Sequence, residues 1–557
     1  MRQVSRLAVV AMALIAVTAS AAVTSGRSPS SSSLGHDKYK YTWKDALYVQ
    51  ATGNVTLRAD AFVPEPKTAG ETFPVVIFPN SWSCPQIEYI TRALGLAERG
   101  YVAMEYETRG WFISGGTIDT AGPLDREDGS TMIDFVASKA AEWNADMSKV
   151  AFMGISYGAG ISMMMAGYDS RVKTAIAMSG WNNMTLMMYG NESPNTNTLQ
   201  GLVDVARRRG NISAELQQIV DDLEVHQNMA TFSNFTQQRS PQLFLENLNS
   251  RNVPMMMSSN FLDHLFRPQY MMGFFDLLTS PKKLLLNQGT HALPEGMGIL
   301  LHDNYIWSHA YLWLDHWLKN VSNGVMDEPA VEAQLGDSVL DQTYVPLSKV
   351  AKSTTTLWLA AGSGGFGGLA TEAPSPTAGA TSPIHFTKDV GLREGSGKHM
   401  SFGTPDNVSL VQPADTTIVF VSDAINSANH TTLCGTTEFD FKVKASSDNW
   451  QIFTFLYLLP SGASNAFGSL WSRGFYTYYA DGPTAGPAAT YDATDGTYLV
   501  QGAQLHTICK TIPAGGRLAL GVVMYDKDFT PANASAGLTV SFAFGPESKL
   551  RIPVVDY

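Results

Sequence analysis

K-V-A-F-M-G-I-S-Y-G-A-G, residues Lys149 to Gly160, begins as a β-strand and ends as a helix. Val150 to Met153 is a short apolar run of the kind a buried strand shows. Ala159 to Gly167 is small, Met-rich and helical in character. Between them, Gly154-Ile155-Ser156-Tyr157-Gly158 is a G-x-S-x-G turn with a serine at its tip, the pattern of a nucleophile elbow. The glycines have a physical reason. Such a turn strains the serine backbone, and side chains at 154 or 158 would collide with the neighbouring strand and helix. The helix N-terminus beneath Ser156 offers N–H groups and a positive dipole end, suited to an oxyanion. A G-x-S-x-G can arise by accident in a chain with 48 glycines, but the flanking strand and helix argue against accident here.

Upstream, strands and helices alternate. Residues 40–65 read as an antiparallel edge hairpin around Gly53-Asn54. Pro74 to Phe78 is a continuous apolar run, typical of a buried parallel strand. A helical stretch, Ile87 to Glu98, stops at Gly100, and Tyr101 to Tyr106 is the next strand. Arg109-Gly110 opens a Gly-rich loop through Gly115-Gly116, and the helix Gly129 to Trp143 leads back to the elbow strand. This alternation predicts a doubly wound, mostly parallel sheet.

Downstream, Val172 to Met178 is the next strand. Residues 182–250 then turn polar and helical in patches, and read as a cap inserted over the sheet, where it shapes a substrate pocket. The Met pairs at its start, Met184 to Met188, read as core. Val253 to Ser259 and Lys282 to Asn287 are buried strands with polar groups just past their ends, Asp263 after the first and His291 after the second. Ligands meet open α/β sheets at such strand ends. Ser156…Asp263…His291 is the chain order of an α/β-hydrolase triad. Helix Tyr305 to Lys319 closes the first domain. From about residue 330 onward, short strands separated by Gly, Pro, Ser and Asn predict an all-β sandwich.

At 557 residues the chain is too long for one domain, and two large units fit it. With 44% hydrophobic and 16% charged residues it is a globular protein with ample core; a net charge of −12 argues against nucleic acid and anionic membranes as partners. Arg2 and Arg6, the apolar run Leu7 to Val17 and the small residues Ala19-Ser20-Ala21 predict a signal peptide over residues 1–21, with a flexible linker over 22–39. No membrane segment is expected after its removal. N-glycosylation sequons at Asn54, Asn183, Asn191, Asn211, Asn234, Asn320, Asn407, Asn429 and Asn533 fit a secretory route. Of three cysteines, Cys434 and Cys509 could pair in the β region, leaving Cys84 free.

Arg109-Gly110 and its loop, the elbow with tyrosine after the serine, Asn260 to Asp263, Gly289-Thr290-His291 and a C-terminal β-domain together resemble the cocaine esterase / X-Pro dipeptidyl-peptidase group of serine hydrolases. α-Amino-acid ester hydrolases and glutaryl acylases lie near that group. The resemblance covers about residues 40–557. It implies an α/β-hydrolase domain over 40–325 with its cap at about 182–250, then a jelly-roll, galactose-binding-like sandwich over 330–557. It also implies Ser156 as nucleophile, His291 as general base and then acid, and Asp263 as the carboxylate orienting His291. The oxyanion donors implied are the backbone N–H of Tyr157 and a tyrosine hydroxyl in the loop after an early strand. Here that loop reads Phe78-Pro79-Asn80-Ser81-Trp82-Ser83-Cys84, so Trp82 stands about where the tyrosine is expected. Its indole N–H can donate one hydrogen bond, and Ser81 or Ser83 are alternatives. Losing one such donor costs about two to three powers of ten in rate. The chain also has Ala159 where the group often has glycine.

Other residues invite other readings. Asp276 rivals Asp263 but sits in a helical run, and His264 is expected to line the pocket or face the cap. His302, His309 and His316 could suggest a metal, though a helix face suits them better. Arg109 more often pins its loop by an ion pair than touches substrate. Gly115-Gly116 lacks the lysine and hydroxyl of a phosphate loop. The mechanism needs no cofactor and no metal. Two functions remain: a secreted serine hydrolase acting on a small-molecule ester or short peptide, or a catalytically weak hydrolase-fold protein that binds carbohydrate or protein. Esterase and dipeptidyl-peptidase are not separated, although the latter needs carboxylates for the substrate ammonium, with Glu192, Asp204, Asp221 and Asp222 as candidates. Oligomeric state is not encoded in any motif.

Overall fold

The computed structural model describes residues 38–555 except 301–303, 337, 348–352, 362–365, 376–380, 386–406, 410–416, 426–430, 463–466, 480–487, 527–528 and 530–537. The expected signal peptide, most of the linker, His302 and the sequons at Asn429 and Asn533 lie outside the described residues.

The first domain is built on a ten-stranded mixed sheet. Strands β1 (Tyr41–Ala51) and β2 (Val55–Pro64) form the antiparallel hairpin at one edge. Next in space come β4 (Val102–Tyr106), β3 (Phe73–Pro79), β5 (Ala145–Ile155), β6 (Val172–Met178), β7 (Met255–Asn260), β8 (Lys282–Asn287), β9 (Val331–Gln334) and β10 (Tyr344–Pro346). From β4 to β9 every pairing is parallel. The unbroken apolar runs foreseen for these strands follow from burial on both faces. Val75, Ile77, Phe152, Ala175 and Met257 pack into one core, while their neighbours Val76, Phe78, Met153, Ile176 and Met256 pack into another. A parallel sheet covered on both sides needs this, since successive side chains point to opposite faces. Each fully buried side chain of this size contributes about 1.5–3 kcal/mol.

The helices α1 (Ile90–Glu98), α2 (Pro123–Ser138), α3 (Tyr157–Tyr168), α4 (Met184–Tyr189), α5 (Thr196–Arg209), α6 (Ala214–Glu224), α7 (Met229–Gln237), α8 (Leu245–Ser250), α9 (Pro268–Leu277), α10 (Leu293–Leu300) and α11 (Tyr305–Lys319) connect the strands. The first sheet runs past the expected change at about residue 330, because β9 (Val331–Gln334) pairs with β8 and β10 (Tyr344–Pro346) with β9. One helix also differs at both ends from the sequence expectation. Helix α2 starts six residues earlier than Gly129, because Pro123 at its first position is preorganised for a helix start. It also ends at Ser138, leaving Ala140–Trp143 as a separate turn. Helices α4 to α8 lie between β6 and β7 and form the inserted cap. Met184, Met187 and Met188 are buried core.

The second region is all β. Strands including Glu438–Ala445, Asn449–Leu459, Phe467–Tyr479, Thr497–Gln504, Arg517–Val523 and Lys549–Val555 enclose their own apolar cores, with Phe441, Trp450, Ile452 and Leu520 among the residues of the larger. It is a β-sandwich. Cys434 and Cys509 face each other in register on Thr431–Gly435 and Ile508–Ile512 and are joined by a disulfide. Cys84 is free. No helix among the described residues is long and apolar enough to cross a membrane.

Candidate active site

Ser156 sits between β5 and α3 with φ 56° and ψ −115°, a conformation L-residues rarely adopt. The glycines beside it are there for space. A Cβ at Gly154 would lie 2.6 Å from the Gly158 carbonyl carbon, and one at Gly158 would lie 2.3 Å from the Pro79 carbonyl oxygen at the end of β3. Ala159 is accommodated because the residue facing it, Gly180, has no side chain: a Cβ there would come within 2.9 Å of the Ala159 methyl.

Asp263 lies three residues past β7 and His291 four past β8, so both reach the carboxyl edge of the sheet where β5 delivers Ser156. Ser156 Oγ is 2.7 Å from His291 Nε2, and His291 Nδ1 is 2.7 Å from Asp263 Oδ2. Asp263 is fully buried. Its Oδ1 accepts from the backbone N–H groups of Leu265 and Phe266 at 2.9 and 2.8 Å, which orients the carboxylate toward the imidazole. The Phe266 ring meets the His291 ring edge-on at 4.8 Å. Burial alone pushes the His291 pKa down, but the Asp263 carboxylate, with help from Glu295, holds it above the ordinary 6.5. In this geometry His291 can accept the Ser156 proton while Asp263 stabilises the imidazolium.

The backbone N–H of Tyr157 opens α3, where no preceding turn offers it a carbonyl. Trp82 does not aim its donor at the site. Its indole N–H donates to the Leu202 carbonyl in α5 at 3.0 Å, and its ring packs edge-on against Tyr157 and Trp111. An indole has one donor, so the expected oxyanion contact from that atom is replaced by a strut to the cap. Ser81 is committed too, its hydroxyl donating to the Ile155 carbonyl at 2.9 Å.

The remaining candidates find other duties. Arg109 grips Asp128 with two bonds of 2.7 and 2.6 Å inside the core, the loop-pinning role. Asp276 is exposed on α9. His264 lines a small cavity against the β-sandwich. His309 does meet carboxylates, contrary to expectation, with Glu328 Oε2 3.0 Å from its Nε2 and Glu332 close by. Lys283 Nζ already lies 2.7 and 2.6 Å from these two glutamates, supplying the positive charge they require.

Sequence reasoning missed a layer beneath the triad. Glu295, fully buried in α10, accepts from Ser258 Oγ at 2.6 Å, Ser179 Oγ at 3.0 Å and Asn260 Nδ2 at 2.9 Å. Asn260 Nδ2 also reaches the Thr290 carbonyl at 3.1 Å, and Ser179 Oγ receives the Ala292 N–H at 3.3 Å. The His291 turn is therefore held from both sides. Nothing local marks Glu295, because its partners come from the ends of two other strands.

A doubly wound sheet with a serine on the elbow and an aspartate–histidine pair at the next strand ends defines a serine hydrolase of the α/β-hydrolase fold. Residues 52–293 match the model of the X-Pro dipeptidyl-peptidase (S15 family), and this stretch is a domain of that family. No curated protein matches the chain. Among solved structures, an aminopeptidase from a marine sediment Thaumarchaeota archaeon is 13% identical with TM-score 0.70, over 97% of this chain and 99% of that one. A CocE/NonD family hydrolase from Staphylococcus aureus is 16% identical with TM-score 0.66, over 93% and 94%. An α-amino acid ester hydrolase is 14% identical with TM-score 0.63, over 95% and 100%. At these identities the likeness is one of fold, and it extends through both domains. The protein is a hydrolase of esters or peptides.

Proposed function

We propose that this protein is a secreted hydrolase that cleaves an ester or amide bond through an acyl-enzyme on Ser156. The supporting observation is the chain of 2.7 Å contacts from Ser156 Oγ to His291 and from His291 to Asp263. Ser156 Oγ attacks the carbonyl carbon as His291 Nε2 takes its proton, and the carbonyl oxygen becomes an oxyanion. His291 returns the proton to the leaving alcohol or amine as the acyl bond breaks. Water, deprotonated by His291, then releases the acid and restores the serine. The Tyr157 N–H is one oxyanion donor. The second is assigned to the backbone N–H of Trp82 in the loop after β3, the usual place for it in this fold.

The ester is the first substrate class to test. A dipeptidyl-peptidase pocket needs clustered carboxylates; of the four candidates, Asp204 and Asp221 are exposed and engaged with Arg207 and Gln217, Asp222 accepts from Gln218 and Asn228, and Glu192 alone is buried without a role assigned above. Secretion is supported by the N-terminal pattern and by the Cys434–Cys509 disulfide, which persists in oxidising compartments. Asn54, Asn234 and Asn320 are exposed sequons open to glycosylation, whereas Asn191 spends its amide on the Phe475 carbonyl.

The test is labelling of the secreted protein with a fluorophosphonate, peptide mapping, and a panel of acyl esters and X-Pro amides. Labelling at Ser156 that disappears in Ser156→Ala, with turnover reduced on the order of 10⁴–10⁶-fold, is the expected result. A folded protein that takes no label would overturn the reading and favour the binding module.

A further inference from the structure

Tyr157 serves the oxyanion through its backbone N–H, and its side chain is tied down separately. The buried hydroxyl donates to Asp125 Oδ2 at 2.5 Å. The Ala121 N–H reaches the same oxygen at 2.8 Å and the Tyr157 hydroxyl at 3.3 Å. Asp125 is fully buried in the first turn of α2. Asp119 anchors that turn: its Oδ2 accepts from the Leu124 N–H at 2.7 Å, and its Oδ1 accepts from Arg239 Nη2 of the cap at 3.0 Å.

A buried phenol needs one acceptor, and a backbone carbonyl would meet that need. A carboxyl group is a costly choice here. Its Oδ1 has no hydrogen-bond partner and no cation pairs with it among the described residues, Arg109 and Arg126 acting on it only from farther off. Burial and the nearby Asp119 and Asp128 push its pKa up to about 8, against the pull of the Tyr157 hydroxyl and the Ala121 N–H. A group kept at a cost to stability is the kind that function retains.

The bond holds a ring that touches the other half of the oxyanion site. Tyr157 packs edge-on against Trp82 at 5.3 Å, and Trp111 closes the triangle at 4.7 Å from Trp82 and 6.5 Å from Tyr157. Trp82 carries the second N–H assigned to the oxyanion. The two rings thus tie together the two residues whose N–H groups must converge on one oxygen, each to within about 2.7–3.1 Å of it.

We propose that Asp125 is a positioning residue for the oxyanion hole: by holding the Tyr157 hydroxyl it fixes the ring that spaces the Tyr157 and Trp82 donors. The inference rests on the acyl-enzyme reading of Ser156.

Fluorophosphonate titration of the wild-type protein checks that reading first; a folded wild type that takes no label defeats it and this proposal with it. With a labelled wild type, Tyr157→Phe, Asp125→Ala and the double variant are compared at a pH above the Asp125 pKa, with kcat expressed per titrated serine. Each single change is expected to lower kcat on an activated ester roughly ten- to a hundredfold, the scale of a misplaced donor, with KM little changed. Affinity for a boronic acid that adds to Ser156 should fall by a similar factor. The double variant should be no slower than the slower single, because the two groups act as one. Asp125→Asn keeps an acceptor and should recover most of kcat, and it takes the place of Asp125→Ala in the comparison should that variant not fold. A merely structural anchor would lower the yield of titratable serine and leave kcat per serine alone. An unchanged kcat per serine in Tyr157→Phe, or losses that multiply in the double variant, overturns the proposal.

Discussion

Trp82 shows how one side chain can fill an expected position and do another job. With its indole N–H on Leu202 and its ring against Tyr157, it braces the cap over the elbow. Trp82→Phe keeps an aromatic ring there and deletes the donor. The expected outcome is about 1 kcal/mol less stability in denaturant titrations, the typical worth of one such bond, with kcat on an activated ester lowered less than tenfold. A loss of about two to three powers of ten would instead identify the indole as an oxyanion donor. At this scale the sequence was eloquent about Ser156, Asp263 and His291, because elbow glycines and strand-end polar residues are local signals. It was silent on Trp82's partner, which lies 120 positions away. Only a folded cap brings a carbonyl of α5 to that ring.

The elements around the site are held by contact with backbone. At Gly158 an added methyl would meet the Pro79 carbonyl, an atom that cannot rotate aside. Gly158→Ala is expected to cost about 3 kcal/mol, the upper part of the range for overpacking, and to lower kcat; chemical denaturation and ester kinetics measure both. Helix α10 acts through charge. His291 must be neutral to accept the Ser156 proton, so activity is present above its pKa and lost as pH falls through it. Because that pKa is raised, the acid limb of the pH–rate profile is expected above the ordinary 6.5. Glu295 contributes to the raise, so Glu295→Gln should move the limb toward lower pH with the Ser156–His291 geometry intact. An unmoved limb would mean that Glu295 serves only to hold the turn. Strands β3 to β8 were readable because burial on both faces leaves long apolar runs. The start of α2 was harder, since its first turns are polar and only Pro123 announces them.

Over the whole molecule, the disulfide closes a span of 75 residues within the second domain. Cys434→Ser with Cys509→Ser is expected to lower stability by about 2–4 kcal/mol. Guanidinium unfolding, with reductant on the wild-type protein giving a similar loss, measures this. The junction between domains was invisible in the sequence. Composition shows that the texture changes near residue 330, but not which surfaces meet afterwards. Cys434, Cys509 and Val555 of the sandwich pack with the core of the first domain. Ser193 Oγ in the cap meets Thr477 Oγ1 at 2.7 Å, and His226 stacks on Tyr479 at 4.3 Å.

Gln288, three residues before His291, donates to the carbonyl of Cys509 at 2.9 Å. The turn bearing the histidine thus leans on a strand encoded more than 200 positions later. A chain cut after β10 would keep every residue of the triad and lose the floor beneath one of them. Recombination that trades this sandwich for another has to replace that carbonyl, so the second half is a support of the histidine turn rather than a detachable passenger.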